Sequence, residues 1–107
     1  MRRASDDVIV PLASGLTFPI GIDEAECFQE ASVQLSPGDT VLLYTDGITE
    51  SRNRAEERFE PERVTQILQE TPTTPADLIH RLCAAVRAHE SGRSPLDDQT
   101  LVVARFL

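Results

Sequence analysis

The stretch LSPGDTVLLYTDGITE, from Leu35 to Glu50, limits the fold more than any other part of the chain. Thr40 to Thr45 are mostly β-branched, aromatic or aliphatic, and they lie between Pro37-Gly38-Asp39 and Asp46-Gly47. That is how a buried strand between two turns reads. It leaves Asp46 on the rim of a sheet. An aspartate there is either a turn former bonding the local backbone or a ligand whose position is fixed by the strand behind it.

The rest of the chain supplies neighbours for that strand. Val8-Ile9-Val10 reads as a short strand, residues 11–15 as a turn, and Pro19-Ile20-Gly21-Ile22 as an apolar segment after Phe18. Cys27, Ala31, Val33 and Leu35 alternate with polar positions, the period of a strand with one buried face. With Pro37-Gly38-Asp39 as connection, this segment is expected to pair with Thr40–Thr45 as a hairpin. Glu50 to Glu62 is rich in Arg and Glu and poor in apolar residues, so it reads as a surface excursion anchored by Phe59. If the excursion touches an anionic substrate, Arg52 and Arg54 are the first candidates, because a guanidinium pairs two phosphate oxygens at once.

Two helices follow. Pro61 at a first turn, with Val64, Ile67 and Leu68 at three- and four-residue spacing, predicts a helix to Glu70, ended by Thr71-Pro72-Thr73. Thr74 as N-cap, Pro75 at the first position and Asp77 in the first turn open a second. Its apolar stripe of Leu78, Ile79, Leu82, Ala85 and Val86 runs to about Glu90. Leu96-Asp97-Asp98-Gln99 then leads into a last strand from Thr100 to Leu107. The adjacent aspartates either cap local donors or gather a cation, since two carboxylates side by side repel.

At 107 residues one domain is expected, of α+β class: antiparallel strands with two helices packed on one face. The net charge of −8 argues against nucleic acid or an anionic membrane surface as partner. All ten basic residues are Arg, which removes lysine chemistry. Cys27 and Cys83 are expected to be reduced and buried, and His80 and His89 structural or surface residues, for neither pair has metal-ligand spacing. No signal-peptide or membrane-length apolar run occurs, so a cytoplasmic location is expected. If the strands flanking Asp46 and Asp97 are neighbours, their carboxylates share one site, and hard oxygen ligands select Mg²⁺ or Mn²⁺.

Taken together, Pro19-x-Gly21-Ile22, LSPGDTVLLYTDGITE, Asn53, Phe59, Glu62-Arg63 and DDQTLVVARF resemble the stage II sporulation protein E type of PPM, protein phosphatase 2C-like, serine/threonine phosphatases. The resemblance implies part of an α-β-β-α sandwich and a site holding two Mn²⁺ or Mg²⁺ ions. It makes Asp46 and Asp97 metal ligands, with Gly47 and Asp98 as further candidates beside them. It also implies a phosphoprotein substrate, typically an anti-sigma-factor antagonist in bacterial partner switching. Two departures stand out. Glu60 replaces the family's usual Gly after the aromatic residue, and the family's upstream acidic motif, which bridges two metals, is absent. The chain therefore resembles the C-terminal half of the domain. Alone it is expected to be inactive, to need the missing N-terminal half or to self-associate, or alternatively to serve as a catalytically inactive binding module.

Overall fold

The computed structural model describes residues 1–12, 20–70 and 74–107. The expected turn over 11–15, Phe18 and Pro19, and Thr71-Pro72-Thr73 lie wholly or partly outside them. Strand β1 (Thr40–Tyr44) pairs antiparallel with β2 (Leu101–Arg105), in a register that sets Thr40 opposite Arg105 and Tyr44 opposite Leu101. Between them in sequence come α1 (Asp46–Thr49), α2 (Pro61–Glu70) and α3 (Pro75–Glu90). This is the α+β architecture that the periodicities predict.

Both long helices begin and end where their signals stand. Pro61 opens α2. At α3 the Thr74 side chain accepts from the Asp77 backbone N–H at 3.2 Å, and the Asp77 carboxylate accepts from the Thr74 backbone N–H. Hydrogen bonds from Thr74, side chain first and backbone second, hold the Asp77 carboxyl below its ordinary value. Ser91 closes the helix in the left-handed conformation, at φ 51°. Leu78, Leu82 and Val86 of α3 pack with Val64 and Leu68 of α2, Ile48 of α1, Leu42 of β1 and Phe59, which has no exposed surface. Burying one such side chain contributes about 1.5–3 kcal/mol.

Leu42 and its partner Val103 face this core. The next pair, Leu43 and Val102, points away and is 57% and 51% exposed. The molecule measures 42 × 39 × 18 Å, with a radius of gyration of 15.6 Å, against about 13 Å for a compact chain of this size. It is a thin slab, helices on one side and a bare apolar strand face on the other.

Several expectations are corrected. No strand forms over 27–35, and the hairpin with Thr40–Thr45 does not exist. Backbone bonds between Arg2 and Thr40 (2.8 and 3.0 Å) occupy the start of the edge that a returning strand would need, and β2 holds the other edge. Without a partner the alternation buries little: Cys27, Ala31 and Val33 are exposed, Val33 at 46%, and only Leu35 is half-buried. Cys27 is accordingly exposed, not buried, whereas Cys83 is half-buried on α3. In place of a strand, Val8–Val10 folds back on residues 1–3 through a single bridge from Ile9 to Arg2.

The Pro37-Gly38 turn is held by a buried carboxylate. Asp39 accepts from the backbone of Ala4 at 2.8 Å and of Ser36 at 2.9 Å, bonds that keep its carboxyl below the usual range. Gly38 turns with φ 94°, where a side chain is strained.

Candidate metal centre

The antiparallel pairing decides where the aspartates go. Because Tyr44 stands opposite Leu101, the chain leaving β1 and the chain entering β2 meet at one end of the sheet. Thr45 locks them together. Its hydroxyl donates to the Asp98 carbonyl and accepts from the Thr100 backbone N–H, each at 3.0 Å, and its own N–H reaches the Thr100 carbonyl at 3.2 Å. A threonine at a helix N-cap ordinarily bonds the first turn. Here that hydroxyl is engaged across the corner, which is why α1 has no side-chain cap.

Asp46 is the first residue of α1 and Asp97-Asp98 lie in the loop before β2, all three exposed. Asp97 accepts from the Asp98 N–H at 2.7 Å, a local cap of the kind an Asp loop makes. Among the described residues, no ion pair engages Asp46, Asp97 or Asp98. Gly47 has a packing reason to be glycine. A Cβ there would collide with the carbonyl oxygen of Asp98 and sit 2.9 Å from its carbonyl carbon. The backbone of α1 is thus pressed on the backbone of the Asp97-Asp98 loop.

This donor set fits a hard cation: exposed carboxylates with no compensating cation, on two segments held in contact, with no thiolate or imidazole between them. The fit is partial, since among the described residues no three His, Cys, Asp or Glu side chains gather closely enough to hold an ion.

The Arg/Glu segment is better ordered than a solvated excursion. Phe59 N–H bonds the Ser51 carbonyl at 2.8 Å and Glu60 N–H the Thr49 carbonyl at 3.0 Å, closing a hairpin over 49–60. Its tip turns on Asn53, whose side chain accepts from the backbone of Ala55 and Glu57. Arg52 pairs with Glu56 at 3.5 Å and Arg54 donates to the Ser91 carbonyl at 3.4 Å. Arg93 donates to Glu56 at 2.5 Å, and this bond, with the guanidinium charges of Arg93 and Arg52, holds the Glu56 carboxyl below its usual range. Both candidate phosphate arginines therefore lie in the hairpin with protein partners already in place. His89 is structural, as expected: it bridges the Glu57 carbonyl (2.9 Å) and Arg63 (2.7 Å) and meets the Phe59 ring edge-on.

Behind the corner lie residues that sequence reasoning missed. Glu90, at the end of α3, is 6% exposed, and one of its oxygens accepts from Ser51 at 2.9 Å and from Gln99 at 2.6 Å. A signal for it exists: Glu90 continues the buried series Leu78, Leu82, Val86 at four-residue spacing, so a carboxylate there falls on the core face.

The chain belongs to the family described as Stage II sporulation protein E (SpoIIE), whose profile matches residues 1–107. It is also similar to Protein IcfG of Synechocystis sp., at 24% identity over 83 residues that cover 78% of this chain and 13% of that protein. The chain thus spans far less than the length of this curated relative. No solved structure matches it. Among the described residues, no helix is long and apolar enough to cross a membrane.

Proposed function

We propose that this chain is the metal-carrying C-terminal part of a phosphoserine/phosphothreonine protein phosphatase domain, acting in bacterial partner switching on a small phosphoprotein such as an anti-sigma-factor antagonist. The observation that supports the reading is the pairing of Tyr44 with Leu101, which brings Asp46 and the Asp97-Asp98 loop to one corner of a chain of the SpoIIE family. Asp46 and Asp97 would hold the metal, with Asp98 and the Gly47 backbone beside them. A bound Mn²⁺ or Mg²⁺ pair supplies Lewis acidity and a nucleophilic hydroxide at neutral pH.

The chain's own part is positional. Thr45 fixes the Asp98 carbonyl, and Gly47 lets α1 approach the aspartate loop. Arg52 or Arg54 would meet the substrate phosphate by exchanging Glu56 or the Ser91 carbonyl for it. Further carboxylates come from the upstream half of the domain, which packs on the bare face around Leu43 and Val102. Without them the chain alone is a weak metal binder with hydrolysis near background. The absence of a three-ligand group among the described residues also supports the second reading, a module that binds protein without hydrolysing it.

Saturating Mn²⁺ should raise the melting temperature of the chain modestly, because the ion binds only the folded state. Asp97→Asn should remove the shift and leave the metal-free melt unchanged. An equal shift in Asp97→Asn counts against the assignment. Assays of p-nitrophenyl phosphate hydrolysis separate the two readings. Turnover that appears when an N-terminal half is added, and vanishes in Asp46→Asn, supports the phosphatase; none with any complement supports the binding module.

A further inference from the structure

We propose that Glu90 is a positioning residue for the acidic corner, a buried carboxylate that ties the segment after Asp46 to the loop that carries Asp97 and Asp98. The proposal rests on the metal reading above. Its basis is a junction that the metal reading alone does not require. Glu90 sits at the last turn of α3, the longest helix of the molecule, whose Leu78, Leu82 and Val86 are anchored in the core. From that fixed base a single carboxylate oxygen takes two donors from different segments. Ser51, itself buried, comes just after Glu50, the C-cap of α1, whose N–H bonds the Asp46 carbonyl at 2.7 Å. Gln99 follows Asp98 directly and precedes Thr100, which Thr45 already holds.

The corner is thus pinned twice: at its front by Thr45 between the strand ends, and at its back by Glu90 between the two metal-bearing segments. Among the described residues no ion pair engages Glu90. Both its bonds come from neutral donors, and a carboxylate so buried is costly unless such bonds are well made. Removing it leaves Ser51 and Gln99 without their shared acceptor and frees the Asp97-Asp98 loop on one side. Groups that orient a metal's ligands affect its affinity about 10–100-fold when removed. Glutamine at position 90 keeps an oxygen able to accept both bonds; alanine does not.

The test measures Mn²⁺ affinity by calorimetry, and backbone amide exchange without metal, on the unaltered chain, Glu90→Ala, Glu90→Gln and Gln99→Leu. Gln99→Leu cuts the tie without touching α3, so it serves if Glu90→Ala fails to fold. The expected result is Mn²⁺ affinity about tenfold weaker in Glu90→Ala and Gln99→Leu, with faster exchange confined to residues 97–100 and 46–51, and near-wild-type behaviour restored in Glu90→Gln. Unchanged Mn²⁺ affinity in Gln99→Leu and in any folded Glu90→Ala overturns the positioning role while leaving the metal reading standing. An unaltered chain that binds no Mn²⁺ overturns the metal reading and this proposal with it.

Discussion

Residues 20–39 and residues 40–107 have similar alternations of apolar and polar side chains in places, yet only the second region builds a fold. In 40–107 the apolar positions on the inner face meet partners: β1 finds β2, the stripe of α2 finds that of α3, and Phe59 closes the space between them. In 20–39 the series Cys27, Ala31, Val33, Leu35 finds no ladder: β2 holds one edge of β1, and Arg2 holds the start of the other. The difference teaches that a period-two pattern specifies which face a strand would bury, and that an available edge decides whether the strand forms.

Leu82→Ala should have the largest effect. Leu82 has no exposed surface at the centre of the core, and the lost contacts and cavity should destabilise the fold by about 2–5 kcal/mol in chemical denaturation. A loss under 1 kcal/mol would break the comparison by showing the packed region to be loose. Next comes Gly47→Ala, where the added methyl meets the Asp98 carbonyl and must push the loop away, at about 1–3 kcal/mol. Amide shifts centred on Asp97 to Thr100 would confirm that the loop moves.

Glu60→Gly sharpens the account in the opposite direction. Glu60 holds φ 68°, the left-handed region that favours glycine, so relieving it should offset the extra freedom of the unfolded glycine and leave a gain of up to about 1 kcal/mol. A clear loss would show that the Glu60 side chain holds the hairpin. The smallest effect belongs to Val33→Ser, within about 0.5 kcal/mol in the same denaturation experiment, because the side chain packs on little. A loss above 1 kcal/mol would place Val33 in a core and erase the contrast between the two regions.

The parts of this fold legible in the sequence were those with local signals. The starts of both long helices were legible to the residue, and their ends closely, because Pro61, Thr74-Pro75-Ala76-Asp77 and their apolar stripes are local chemistry. Both strands of the sheet were legible from their β-branched runs. Their pairing was legible only as a condition, since residues so far apart in sequence give no local sign of register. The structure meets that condition and so brings the aspartate motifs to one corner. The tie at Ser51, Glu90 and Gln99 was overlooked because polar residues at a helix end read as solvated unless the four-residue series is carried one step further. Gly47 was legible as a turn glycine, but its close approach to Asp98 depends on tertiary contact.

The central claim is that the corner of Asp46, Asp97 and Asp98 is where a divalent ion binds. Titrating Mn²⁺ into isotope-labelled protein and following paramagnetic broadening of the backbone amides tests it most directly. Broadening should begin at residues 45–48 and 96–99 and disappear from both in Asp46→Asn. Broadening that begins instead at the acidic turn of Asp23, Glu24 and Glu26, or at Glu56-Glu57 of the hairpin, would contradict the assignment.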